Sequence, residues 1–313
     1  MSEKRKMKFR NFWPIHRKES PSWTEGSENQ PFPVYPPPKP RMVWNIVLFF
    51  LTLITTILAG ALQEGVNPLK DPGEIYRGIP FSFALMGILL SHELGHYLVA
   101  KKHGMNVTLP YFIPAPSFIG TFGAFIKMRS PARDRRMLMD IGAAGPLVGV
   151  VVSIPLLVIG LRLSEVKLIE GQVGLHLGDS LLLFLISRLV AGPIPTGYDI
   201  VIHPVGLAGW IGLLVTSLNL LPVGQLDGGH VAYALLGEWQ NKISKFVLFG
   251  LLGLGILGWE GWLIWGVLLL IMGFRHPAPM EWWVPLDRKR KIIGWVTIAV
   301  FILTFIPVPF SGF

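Results

Sequence analysis

The stretch "LLSHELGHYLVA", residues 89–100, places His92, Glu93 and His96 inside an otherwise apolar run. Helical positions four apart share a face and lie about 6 Å apart along the axis. His92 and His96 can therefore turn imidazole nitrogens toward one metal ion, with Glu93 projecting beside them. This is the HExxH pattern, in which two neutral imidazoles bind zinc and the neighbouring carboxylate takes a proton from the water that attacks the substrate. The pattern is short, and a polar patch satisfied by neighbouring helices would read the same way.

The surroundings of the motif weigh between these readings. Of the 313 residues, 51% are hydrophobic and 15% charged, and mean hydropathy is +0.51, which is too apolar for a soluble domain of this length. Near the centre of a bilayer one ionisable side chain costs about 2.5–3.5 kcal/mol. Three of them close together need a compensating partner, and a bound cation supplies it. A two-histidine site still lacks a third protein ligand. The candidate is Asp227, in "SLNLLPVGQLDGGH", residues 217–230.

The elements that must carry these residues are apolar runs near 43–62, 79–100, 141–161, 205–235, 243–258, 262–274 and 292–308. Crossing a hydrocarbon core takes roughly 20 helical residues. The expected fold is an all-α polytopic membrane protein with about six or seven transmembrane helices. Entering from the outer face, the two histidines lie about 20–26 Å down the second helix, whereas Asp227 would lie about 30 Å down a straight fourth helix. Pro222 disfavours helical geometry at Leu221, and Gly224, Gly228 and Gly229 loosen the backbone after it. A break here is expected, and it can bring Asp227 level with the histidines.

Charge sets the expected orientation. With the N-terminus cytoplasmic, 23 of the 28 Lys and Arg residues fall on inner loops or inner helix ends, leaving only Lys70, Arg77, Arg162, Lys167 and Arg188 outside. That asymmetry follows the excess of basic residues on cytoplasmic loops, and it puts the active site toward the cytosolic side. The net charge of +9 then reads as a topology signal beside anionic lipid, with no nucleic-acid partner implied. Residues 1–42, polar, basic and ending near "PFPVYPPPKPR", read as a disordered cytosolic tail. Residues 43–313 read as the membrane domain. The chain has no cysteine, which excludes disulfides, thiol nucleophiles and Cys-ligated metals.

With both motifs placed, the chain resembles the site-2 protease family of intramembrane zinc metalloproteases. The family pairs HExxH on one transmembrane helix with an Asn-x-x-Pro-x-x-x-x-Asp-Gly motif on a later one, matched here by Asn219, Pro222, Asp227 and Gly228. "GTFGAFI" from Gly120 and "GAAGP" from Gly142 to Pro146 are also similar, the latter opening the middle helix of a three-helix core within residues 79–237. The resemblance implies Zn2+ held by His92, His96 and Asp227, a water activated by Glu93, and a substrate oriented by Asn219. It implies proteolysis of a membrane-anchored regulatory protein, often one already trimmed by another protease. Connections of about 40 residues at 101–140 and 162–202 leave no room for the PDZ insertion of some members.

The stretch from Val107 to Met128 is rich in β-branched and aromatic residues around a Pro-Ala-Pro break, and reads as two short membrane-associated strands. Its edge, with Gly120, Phe122 and Gly123, is expected to pair with an unwound substrate segment. An interfacial loop is the alternative. Two rival functions are an ion-coupled transporter or channel, in which broken helices also bind ions, and an inactive relative that binds membrane segments without cutting them. No second copy of either motif marks a transporter repeat. His230, three positions after Asp227, reads either as support for that ligand or as an interfacial histidine. His276 is assigned no role. Asp140 with Arg133, Arg135 and Arg136 reads as a solvated cluster.

Overall fold

The computed structural model describes residues 42–168 and 176–311; of the expected tail, only Met42 lies within them. The chain enters as α1 (Met42–Gln63), passes through a 3-10 turn at Pro72–Gly78, and returns as α2 (Ile79–Lys102), which carries His92 and His96. Strands β1 (Tyr111–Pro114) and β2 (Thr121–Phe125) follow, then α3 (Arg135–Leu163). At the far end of α3 lie β3 (Glu165–Leu168), β4 (His176–Leu177), α4 (Leu181–Val190) and β5 (Tyr198–Val201). The chain comes back through α5 (Pro204–Asn219) and α6 (Asp227–Leu236), and ends with α7 (Gln240–Leu257), α8 (Gly261–Met272), α9 (Arg288–Thr304) and β6 (Phe310–Ser311).

Among the described residues, three helical segments are long and apolar enough to cross a membrane, at Met42–Gln63, Pro72–Lys102 and Arg135–Leu163. Their outer faces, and those of the later helices, expose large apolar side chains such as Phe83, Leu98, Val151, Phe249, Ile264 and Ile271. So much exposed hydrocarbon fits a lipid surround and not water. α3 begins at Arg135, with the Asp134 side chain accepting from Met137 N–H at 2.8 Å. "GAAGP" therefore lies about two turns inside α3 and does not open it.

The expected break divides the fourth apolar run into two helices. α5 stops at Asn219 and α6 starts at Asp227. The intervening turn leaves the Pro222 carbonyl without a helical partner, and Ser244 Oγ on α7 donates to it at 2.9 Å, while Gln240 Nε2 on the same helix donates to Ser244 Oγ at 2.7 Å. A broken backbone inside an apolar bundle persists because side chains of a neighbouring helix complete its bonds. Gly228 is the tightest point of the turn. A Cβ there would stand 1.9 Å from the Leu220 carbonyl oxygen.

β1 and β2 pair antiparallel, Tyr111 opposite Phe125 and Pro114 opposite Thr121, with an irregularity between Phe112 and Pro114. The pair runs along α1. Asn45 Nδ2, in the first turn of α1, donates to the carbonyls of Leu109 and Pro110 at 2.8 and 3.0 Å; Thr55 Oγ1 donates to Gly120 O at 2.7 Å; Gln63 Nε2, at the last turn, donates to Phe118 O at 2.7 Å. The contacts thus track about 27 Å of helix axis.

The Asp140 group is also more organised than solvated charge. Asp140 accepts from Arg290 Nε at 2.8 Å and Arg290 Nη2 at 2.6 Å and pairs with His103 Nε2 at 2.9 Å, so it joins the end of α2 to α3 and α9. Arg135 donates to the Ala234 and Leu235 carbonyls at the end of α6, Arg136 to Pro285 O, and Arg133 to Glu281. These residues clamp four elements at one end of the bundle.

A Gly228→Ala substitution should cost about 1–3 kcal/mol through forced displacement of the turn, read as a lowered thermal midpoint in detergent. Gly250→Ala on α7, where a Cβ would meet nothing within 4 Å, should leave the midpoint unchanged or slightly raised.

Candidate metal centre

His92 and His96, one turn apart on α2, are both buried, at 4% and 6% exposure. The first turn of α6 brings Asp227 against them. Asp227 Oδ2 lies 3.2 Å from His92 Nε2 and 3.1 Å from His96 Nε2, and the two Nε2 atoms are 3.1 Å apart. The N-terminal end of a helix also favours a carboxylate, because unpaired backbone N–H groups and the helix dipole place positive charge there. The depth mismatch of a straight fourth helix is removed by the break before Asp227.

The bonding of His96 fixes what this triangle can hold. Its Nδ1 faces the Ile141 carbonyl at 2.8 Å. A carbonyl only accepts, so Nδ1 carries the proton, and Nε2 of the neutral ring is a bare lone pair. That lone pair points at a second imidazole nitrogen and a carboxylate oxygen. Three such donors converge comfortably only on a proton or a cation. With bonds of about 2.0–2.1 Å, adjacent ligands of a tetrahedral zinc ion stand about 3.3 Å apart, close to the spacings here. The residues fit a zinc ion, and the Ile141 carbonyl is the kind of partner that orients a metal-binding histidine.

α3 makes room for this arrangement. A Cβ on Gly145 would stand 2.1 Å from His96 Nε2, and one on Gly149 would stand 3.1 Å from His92 Nδ1. Gly145, within "GAAGP", and Gly149, one turn on, thus admit the imidazoles of α2. Glu93, 5% exposed, lies beside the triangle with its carboxylate against the backbone of Ile126, just past β2.

Of the remaining expected site residues, Asn219 joins the centre, whereas Gly120, Phe122 and Gly123 lie at β2. Asn219, the last residue of α5, places Nδ2 3.5 Å from His92 Nε2. Gly120 packs on α1, with φ +81° and a Cβ position 2.6 Å from the Thr55 carbonyl oxygen, so its lack of a side chain seats the strand pair. Phe122 is 75% exposed and a Cβ on Gly123 would meet nothing within 4 Å. Beside the centre, a groove of about 910 Å³ is bounded by the Phe125–Ala132 segment, Ile141, Gln225, His230 and His276–Pro279. No local signal in the sequence places His276 here, because it arrives from the loop after α8, far along the chain. A second cavity, about 620 Å³, is lined by Phe118, His176, Asp179, Asp199 and Trp210; none of the triangle residues lines it.

Comparison with known proteins points to the same metal. The model of peptidase family M50 matches residues 80–252. The chain is similar to a protein of Arabidopsis thaliana named "Probable zinc metalloprotease EGY1, chloroplastic", with 32% identity over 306 aligned residues, covering 87% of this chain and 55% of that protein. The protein of the same name from Oryza sativa subsp. japonica is 33% identical, covering 86% of this chain and 52% of its own length. "Probable zinc metalloprotease EGY2, chloroplastic" of Arabidopsis thaliana is 31% identical, covering 80% and 46%. The chain spans about half the length of these curated relatives. No solved structure matches it.

Gly145→Ala should push His96 out of the triangle and abolish stoichiometric metal retention after dialysis. Gly87→Ala on the same bundle, where a Cβ would meet nothing within 4 Å, should retain the metal.

Proposed function

The chain belongs to peptidase family M50, and from that membership we propose that it is a zinc-dependent intramembrane endopeptidase, cutting membrane-anchored proteins within or near their transmembrane segments. The observation that carries the reading is the convergence of His92, His96 and Asp227 within 3.2 Å, beside Glu93. His92 Nε2, His96 Nε2 and Asp227 Oδ2 would hold the metal. Zinc bound there supplies a Lewis acid that polarises the scissile carbonyl and makes water nucleophilic near neutral pH.

The chain's own groups move the proton and place the substrate. Glu93 takes the proton released as water attacks the carbonyl carbon and returns it to the nitrogen of the departing amine, so the C–N bond breaks to a neutral amine. Asn219, next to His92, orients the substrate. β2 bonds to β1 along one edge and to no other strand among the described residues. Its other edge accepts an unwound substrate as an added strand, which presents peptide bonds that a helix would shield. Phe122 contacts the neighbouring substrate side chains, Gly123 lets the backbone approach, and Gly120 holds the strand pair against α1.

The same reading includes six or seven spans, with the Arg-rich clamp and the N-terminal tail on the cytosolic side, following the asymmetry of basic residues. The substrate is a regulatory membrane protein, and the family resemblance implies that such substrates are often trimmed beforehand by another protease.

Glu93→Gln should lower cleavage of a membrane-anchored reporter by about 10²- to 10⁴-fold while retaining zinc, whereas His92→Ala and Asp227→Ala should lose both. Wild-type cleavage rates in Glu93→Gln would reject its assigned role. Because the chain lacks cysteine, single substitutions report sidedness cleanly: Lys242→Cys should be shielded from an impermeant maleimide in sealed cells and Lys70→Cys labelled, and the reverse pattern would invert the orientation.

A further inference from the structure

Outside the metal triangle, the described residues hold one more buried imidazole pair. His230 Nδ1 on α6 stands 2.6 Å from His276 Nε2 in the loop after α8, and His276 Nδ1 stands 2.6 Å from its neighbour's carbonyl, Pro277 O. Both residues are 8% exposed, and His276 stacks on Tyr233 with centroids 4.8 Å apart.

The order of donors follows from the carbonyl at the end of this chain of bonds. Pro277 O can only accept, so His276 Nδ1 carries a hydrogen. Burial pushes the His276 ring below the ordinary imidazole range, with the Pro277 carbonyl opposing, so the ring is neutral near pH 7 and its Nε2 is bare. The short contact then requires His230 Nδ1 to donate, which leaves His230 Nε2 bare in turn. That nitrogen has no protein partner among the described residues, nor is it sealed in: His230 forms part of the wall of the 910 Å³ groove. Also lining this groove are Phe125 and Ile126, at the end of the open-edged strand β2, and Ile126 is the residue whose backbone faces Glu93.

We propose that His276 is a positioning residue that holds His230 with Nε2 as a hydrogen-bond acceptor, and that this nitrogen takes a backbone N–H of an extended polypeptide lying in the groove beside β2. The inference rests on the proteolytic reading for the identity of the ligand, but its tautomer chemistry stands apart from it. An extended chain suits the site because it offers outward N–H groups at every second residue, and among the described residues no strand besides the paired β1 and β2 borders the groove to receive them. Gly142 permits the placement: a Cβ there would stand 2.7 Å from His230 Cβ.

The test uses the full chain in detergent with a fluorescein-labelled, non-repeating hydrophobic peptide of about 20 residues, long enough to span, in which one backbone amide at a time is replaced by an ester. Binding is read by anisotropy on the Glu93→Gln protein, with zinc content checked throughout. One ester position should weaken binding about three- to tenfold in the presence of His230, and this penalty should vanish in His230→Ala. It should also shrink in His276→Phe, which keeps the stack on Tyr233, and return in part in His230→Gln, which keeps an acceptor. Ester penalties identical with and without His230 would overturn the assignment. In parallel, 15N spectra of histidine-labelled protein should give His230 a protonated Nδ1 and bare Nε2 that becomes a tautomer mixture in His276→Phe; a protonated Nε2 in wild type would overturn it too. Failure of the proteolytic reading has a different signature, namely absence of cleavage of the all-amide peptide by wild type, and leaves the spectra unaffected.

Discussion

The structure is organised around the cost of holding three ionisable side chains in apolar surroundings. His92, His96 and Asp227 bring two imidazole nitrogens and a carboxylate oxygen to within 3.2 Å of one another. The Ile141 carbonyl forces the His96 lone pair into that space. Left to themselves three lone pairs this close repel, and a divalent ion held among them would offset that cost. The other helices can be understood by what they contribute to keeping that triangle closed.

α3 contributes absence. Its glycines let two imidazoles of α2 approach its backbone more closely than any side chain would allow, and the same helix offers the carbonyl that sets the His96 tautomer. α5 and α6 contribute a discontinuity, since an unbroken helix would carry Asp227 too deep. The break exposes backbone groups that lipid cannot satisfy, and Ser244 on α7 completes one of them. The placement of Asp227 and the packing of a peripheral helix are therefore linked through a single proline carbonyl.

The clamp at the Arg-rich end extends this logic. Asp140 ties α3 to α9 and to the end of α2, and Arg135 ties α3 to the end of α6. Each element that supplies a member of the triangle is thus fixed to α3 at that end. The groove opens between this clamp and the strand pair, where the loop after α8 closes one wall. The shape of the groove and the imidazole pair of His230 and His276 consequently depend on a loop that is remote from the triangle in sequence.

The motif spacing of His92, Glu93 and His96 was legible because a helix converts four positions into one face without help from the rest of the chain. Asp227 was legible for a similar reason: proline and glycine act locally on the backbone, so the break could be read from Pro222, Gly224 and Gly228. The start of α3 was misplaced because its capping residue, Asp134, lies among charges that hydropathy treats as loop. Asp140 and its arginines looked solvated because nothing local announces partners such as Arg290, 150 positions away. Only the tertiary structure decided those pairings, the path of the strand pair along α1, and the meeting of His230 with His276. Such contacts depend on which helix faces are buried against each other, and that is a property of the packed bundle rather than of any one segment.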